Sequence, residues 1–212
     1  MSEFAKAFKH LKKDKVMKSL ILKVGDQITI RDRKEKNLAL ALSLLIIEQQ
    51  VSFKAAITIK DRFRELIKKR TNNEILKIEV EKLKSIGITN KKVEYIRNVY
   101  GYFENTDYNF YTRNKKDVIK ELTSIKGIGM WTAEMFLKFI LFEKDIFSKG
   151  DLALINSIKI NYKLDTLNAE NLKNIIENWS PYKTIASLLL WKSIEEKVFC
   201  DWIKKWQKNK KK

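Results

Sequence analysis

LTSIKGIGMWTAEMFLKFILFEKDIFSKGD, residues 122–151, holds two apolar helical patterns separated by a G-I-G triplet. Leu122 and Ile125 give a short helix an apolar i, i+3 face, and Gly127 and Gly129 allow a sharp reversal that residues with a Cβ would resist. A second helix is predicted from about Met130, because Trp131, Met135, Phe136, Phe139 and Ile140 recur at helical spacing and not in strand alternation. Between two such helices, backbone N–H groups around the glycines and in the new first turn lack intrahelical partners and stand at the positive end of the helix dipole. Such a loop suits a phosphate. It equally suits a plain hairpin in a helical core, and G-x-G by itself does not choose between the two.

Working outward, one Pro and six Gly in 212 residues favour a nearly all-α fold with short connections. Helices are predicted near 3–23, 37–48, 52–69, 72–84, 90–103, 115–125, 130–142, 151–160, 168–177 and 181–206. Residues 26–34 alternate apolar and polar side chains and are expected to be extended. KLKSIGITNKKVEYIRNVY (82–100) echoes the hairpin, with Gly87 ending one helix and Thr89 or Asn90 capping the next; it reads as a turn or a second phosphate contact. The length suits one compact unit with two helical lobes better than two independent domains, with 207–212 as a basic tail.

The charge narrows the partner. With 44 Lys+Arg against 26 Asp+Glu, the formal net charge is +18, which favours nucleic acid through neutralisation of phosphates. Base composition of the genome can also enrich lysine, and Lys204–Lys212 suits a solvated basic end. A single cysteine, Cys200, allows no intramolecular disulfide and no four-cysteine iron-sulfur cluster. With His10 the one histidine, no ordinary His/Cys zinc site can be assembled. No apolar run reaches membrane-spanning length and the N-terminus lacks a signal-peptide core, so a soluble intracellular protein is expected.

L-x-x-I-x-G-I-G-x-W-T-A, followed by the segment from Asp145 to Asp151, resembles the helix-hairpin-helix GPD superfamily of DNA repair glycosylases, and within it the 3-methyladenine DNA glycosylase II (alkylpurine) branch. HLKKDKVMKSLILKVG (10–25), ALSLLIIEQQVSFKAA (41–56), residues 82–100 and ENWSPYKTIASLLLW (177–191) are similar to further segments of that branch, in its order. The resemblance implies two helical lobes around a cleft, a central lobe of about 37–140 and a second lobe formed by the N- and C-terminal segments within residues 1–206. It implies a hairpin that binds double-stranded DNA, and an enzyme of base excision repair acting as a monomer with no required cofactor.

The resemblance also assigns roles. Cleavage of an N-glycosidic bond builds positive charge on the sugar, which a carboxylate beside C1′ stabilises while it orients or deprotonates water. Asp151, twenty residues after Trp131, aligns with the family's catalytic aspartate; it also suits an N-cap for the helix LALINSIKI. The two uses are compatible, since a helix N-terminus favours negative charge. Lys149-Gly150 stands where the family usually carries Asp or Pro-Asp, and Asp145 is the weaker, more structural carboxylate.

Relatives that also cut the backbone carry lysine at the position of Trp131; tryptophan cannot form a Schiff base, so water is the expected nucleophile and an abasic site the product. Trp131 and Trp191 match aromatic positions that receive the flipped base, although Trp191 in SLLLW equally suits a core. Met135 and Leu152 match pocket positions that are aromatic in some members. Gln50 sits where the family inserts a wedge into the gap left by the flipped nucleotide, with Gln49 beside it; a polar helix terminus is the plainer reading. Lys126 and Lys183 join Gly127 and Gly129 as expected DNA contacts, and the carbonyls of Thr123, Ile125 and Ile128 match a structural K⁺ or Na⁺ site. The expected function is monofunctional excision of alkylated purines such as 3-methyladenine and 7-methylguanine. The alternatives are a sister glycosylase for deaminated or oxidised bases and a non-catalytic DNA-binding protein.

Overall fold

The computed structural model describes residues 4–30 and 35–200; the expected basic tail lies outside them. Among the described residues the chain is all-α, with no strand. It divides into two compact units, Arg33–Leu141, and Met1–Asp32 with Phe142–Lys212.

The first unit holds α3 (Leu38–Glu48), α4 (Phe53–Ile67), α5 (Asn72–Leu76), α6 (Val80–Ser85), α7 (Asn90–Glu104), α8 (Lys115–Ser124) and α9 (Met130–Phe139). Its centre is α3, apolar around almost its whole circumference and buried at eight positions including Leu42, Ile46 and Ile47. A helix of that composition needs neighbours on every side, and α3 finds them in α4, α7 and α9. Each entry is set locally: Asn37, Ser52, Thr71, Thr89 and Asn114 all accept a backbone N–H of the first turn through their side chains. Phe110 packs 4.7 Å from Tyr108 and 5.4 Å from Phe136, ring to ring, and closes the end of α7 onto α9.

The second unit is built from α1 (Ala5–Leu11), α2 (Lys15–Val24), α10 (Leu152–Tyr162), α11 (Ala169–Glu177) and α12 (Lys183–Glu195). α12 packs against α2 and α10. Polar groups buried with it are paired: Ser157 Oγ donates to the Leu190 carbonyl at 3.0 Å, and Asn161 Nδ2 to the Ser157 carbonyl at 3.0 Å. Asp14 ties three elements together, capping α2 with Oδ1 while Oδ2 accepts from the Tyr162 hydroxyl and, at 3.3 Å, the indole N–H of the fully buried Trp179.

Several boundaries differ from the sequence expectation. The helix predicted over 3–23 is two, because Asp14 takes an extended backbone and its carboxylate accepts from Val16 N–H at 2.7 Å, competing with helix continuation. The helix predicted over 72–84 breaks at Lys77–Glu79. Residues 26–30 are turn and coil, with 31–34 outside the described residues. α12 ends at Glu195, and 201–206 of the predicted 181–206 lies outside the description.

Candidate functional site

The hairpin is assembled from α8, the turn Ile125–Gly129 and α9. Ile128 N–H donates to the Ile125 carbonyl at 3.0 Å, and Gly127 takes φ +105°, a conformation that L side chains rarely adopt. A Cβ on Gly127 would stand 2.2 Å from Cγ of Tyr95, whereas one on Gly129 would meet nothing within 4 Å. Glycine is therefore demanded at 127 and merely permitted at 129. Gly129 is the N-cap of α9 and offers no side chain to its first-turn N–H groups, which an anion can then approach.

What holds the turn is a set of side chains of which the sequence reading singled out only Gln49, and that one in another role. Asn98 Nδ2 donates to the Lys126 carbonyl at 3.2 Å, and Gln49 Nε2 donates to the Gly127 carbonyl at 3.2 Å and to Thr132 Oγ1 at 3.0 Å. Two successive carbonyls of the turn are thus held by side chains of α3's end and of α7. Lys92 Nζ donates to the carbonyls of Ile47 at 2.8 Å and Gln49 at 2.7 Å, at the C-terminal end of α3, where burial pushes the ammonium pKa down. Lys92, Tyr95 and Asn98 follow one another at helical spacing on α7. That spacing was visible, but a polar face of this kind reads like a solvated one until its partners are known.

Gln49 was grouped with Gln50 as a DNA contact. The structure commits its side chain to the hairpin instead, because Gly127 and Thr132 supply an acceptor pair within reach. Gln50 is exposed, with its backbone in the left-handed region at φ +54°. Lys126 is exposed and pairs with Glu94 at 2.5 Å, whose hydrogen bond pushes the ammonium pKa up. Lys183, also expected on DNA, has a side chain only 14% exposed; it lies 2.9 Å from Glu177 and 4.0 Å from Asp145 and is an internal ion-pair partner. The carbonyl of Ile125, expected to bind a cation, already accepts from Ile128 N–H. Thr123 turns its hydroxyl to the Ile119 carbonyl at 2.8 Å.

Asp151 is the N-cap of α10: Oδ1 accepts from Leu154 N–H at 3.0 Å, and the residue is partly buried. Capping fixes the carboxylate through one oxygen and leaves the other's lone pairs to neighbouring groups. The loop before it is pinned to the start of α12. Asp145 accepts from Ser180 Oγ at 2.8 Å and from Lys183 N–H at 3.3 Å. Thr184 Oγ1 donates to the Glu143 carbonyl at 2.6 Å and accepts from Ile146 N–H at 3.2 Å, while Thr184 N–H donates to the Lys144 carbonyl at 2.9 Å. Asp145 is thus structural. Trp131 and Trp191 are partly buried; Met135 is 1% exposed and Leu152 76%. Met135 is therefore closed to a ligand as the chain stands, and Leu152 faces solvent because it is the first residue of α10. No group of three or more His, Cys, Asp and Glu able to hold a metal is present among the described residues.

Residues 44–181 match the family of HhH-GPD superfamily base excision DNA repair proteins. The chain is 28% identical over 189 residues to DNA-3-methyladenine glycosylase 1 of Schizosaccharomyces pombe, covering 85% of this chain and 82% of that protein. Its fold superposes on the Schizosaccharomyces pombe 3-methyladenine DNA glycosylase solved with abasic DNA with a TM-score of 0.81, at 26% identity, over 90% of this chain and 97% of the other. A DNA-3-methyladenine glycosidase structure from Bacillus halodurans is 31% identical with a TM-score of 0.68, over 91% of this chain and 89% of that one. Against a Bacillus subtilis relative, 28% identical, the chain spans 56% of the longer protein's length. The matched residues include the hairpin, the α9 helix and Asp151, and this chain belongs to the HhH-GPD superfamily of base excision DNA repair proteins.

Proposed function

We propose that the protein is a monofunctional DNA glycosylase that excises alkylated purines from duplex DNA and leaves an abasic site. The observation that carries the reading is a hairpin whose Lys126 and Gly127 carbonyls accept from Asn98 and Gln49 and whose second helix starts at a glycine N-cap with no side chain over its first-turn N–H groups, which suits a phosphate, in a chain similar throughout to 3-methyladenine DNA glycosylases. Phosphate contacts of this kind hold DNA without reading its sequence.

In the proposed reaction the damaged nucleotide leaves the stack, at a cost of a few kcal/mol that is smaller for a damaged base. The Asp151 carboxylate, held through its cap to Leu154, stabilises the charge on the sugar and takes a proton from the water that adds to C1′. The base departs with the electron pair of the broken C–N bond; a purine cationic after N3 or N7 alkylation leaves readily. Trp131 supplies an aromatic face to such a cation. It also stands where a Schiff-base lysine would be required for strand cleavage. A carboxylate at the position that aligns with the family's catalytic aspartate weighs against a purely DNA-binding role, to which it would contribute only repulsion. A monovalent cation on the carbonyls of Thr123, Ile125 and Ile128 belongs to the same proposal.

The test is incubation with duplexes that each carry one defined lesion, scoring base release and strand cleavage separately. Release of alkylated purines, with strands that break only after alkali and no borohydride-trapped adduct, is expected. Asp151→Asn, which keeps a capping side chain, should lower excision by at least about a hundredfold with DNA affinity retained. Near-normal excision by that variant, or efficient borohydride trapping, overturns the reading.

A further inference from the structure

Gln50 is a non-glycine residue held at φ +54°, an arrangement that persists only where its surroundings impose it. The surroundings are identifiable. On one side, the Gln49 carbonyl and the Ile47 carbonyl both accept from the Lys92 ammonium, which gathers the unpaired C-terminal carbonyls of α3 as a helix-terminal cation does. On the other, the Gln49 side chain reaches the Gly127 carbonyl and the Thr132 hydroxyl. Tyr95, one turn along α7 from Lys92, packs beneath Gly127, and Asn98 holds the Lys126 carbonyl. One face of α7 therefore fixes both the turn at Gln49–Val51 and the hairpin. Gln49 joins them directly.

We propose that Lys92 and Gln49 are positioning residues that lock the Gln50 turn to the phosphate-binding hairpin, so that a phosphate gripped by the hairpin sets where the Gln50 side chain enters the duplex. The proposal rests on the glycosylase reading for its substrate. Lys92 touches no DNA in this scheme; it acts through Gln50.

The ammonium is suited to the task because it donates to two carbonyls at once, which neither methionine nor glutamine can reproduce with the same charge. If the lock fails, the hairpin still binds phosphates and undamaged DNA is held as before. The wedge then has no fixed register, and the flipped state is populated less.

The experiment is a double-mutant cycle on the full chain, read by 2-aminopurine fluorescence beside an abasic-site analogue for flipping, and by kcat and KM on a 7-methylguanine duplex. The variants are Lys92→Met, Gln50→Gly, which deletes the side chain without penalising the left-handed backbone, and the double variant. Lys92→Met is expected to lower kcat and the flipping signal by about tenfold, the scale of losing one charged hydrogen-bond partner, with KM and affinity for undamaged duplex little changed. In the Gln50→Gly background the same change should add almost nothing, and Lys92→Arg should restore most of the loss. Additive losses, an unaltered flipping signal in Lys92→Met, or a loss confined to KM would overturn the proposal. Lys92→Gln, which removes the charge on the two carbonyls and leaves the hairpin's own partners in place, runs the same cycle and decides the matter if Lys92→Met does not fold. Absence of excision by the wild-type protein on every alkylated duplex would instead refute the parent reading, whereas wild-type excision with additive losses refutes only the lock.

Discussion

Gly127→Ala and Gly129→Ala differ by one methyl group at two residues of the same turn, and the structure separates them sharply. At 127 the backbone stands at φ +105°, which costs a residue with a Cβ roughly 1–3 kcal/mol. The methyl would also lie 2.2 Å from Cγ and 2.5 Å from Cβ of Tyr95. Because Cβ is anchored to the α7 backbone, no rotamer of Tyr95 relieves that contact, and the helix or the turn must shift. Overpacking of this kind costs about 1–3 kcal/mol, so the total is about 2–6 kcal/mol. For a chain of this size that lowers the melting temperature by roughly 5–20 °C. At 129 the backbone is extended, φ −93° and ψ 176°, and nothing lies within 4 Å of an added Cβ. Alanine there loses only the modest preference of an N-cap for glycine, about 1 kcal/mol or less. The assay is thermal unfolding by circular dichroism, paired with anisotropy titrations of undamaged duplexes of different sequence. Gly129→Ala should keep its stability and bind all duplexes more weakly alike, because the added methyl obstructs N–H-to-phosphate contacts. Placing Gly127→Ala in a Tyr95→Ala background should recover only the part of the loss due to the ring, because the Cβ that alanine keeps at 95 still stands 2.5 Å from the added methyl. A melting temperature for Gly127→Ala within about 2 °C of the parent would refute the account of how the hairpin is held.

Thr184→Val removes the hydroxyl that bridges Glu143 and Ile146, and leaving these part-buried backbone groups without it should destabilise the chain by about 1–3 kcal/mol in urea titrations; a loss under about 0.5 kcal/mol would refute the staple. Alkaline stability should fall above pH 10.0, the ordinary tyrosine value. Burial pushes the Tyr100 and Tyr162 hydroxyls up, and burial with the hydrogen bond to Glu121 pushes Tyr102 up to about 12. Since each folded value exceeds the unfolded one, the contribution is whole below the unfolded value and is lost as pH rises through the folded one; a urea midpoint unchanged between pH 9 and about 11.5 would contradict this. Trp131→Ala should lower excision through weaker capture of the flipped base, at roughly 1–3 kcal/mol, in protein that remains folded. An equal loss of stability and of excision would make Trp131 a core residue only.

Features that depend on neighbours within a turn or two are legible along the chain. The all-α content, the G-x-G reversal and the α9 helix follow from spacing and from backbone freedom, and Thr89 and Asp151 cap helices where the residue types place them. The family was legible for the same reason, since its motif is local. Tertiary structure decided which polar groups face which. Gln49 reaches across 78 residues to Gly127, Lys92 across 45 to Ile47, and Thr184 across 41 to Glu143. Nothing in the periodicity of an isolated helix distinguishes these side chains from solvated ones. Lys183 shows the point from the opposite direction: a lysine in a basic chain reads as a phosphate ligand, and only the folded chain brings Glu177 and Asp145 beside it. Local rules act through hydrogen bonds and side-chain spacings of three or four residues. The partners of a buried polar group are set by chain closure, which brings distant carbonyls and carboxylates to within 3 Å or so of a donor only after the helices have packed.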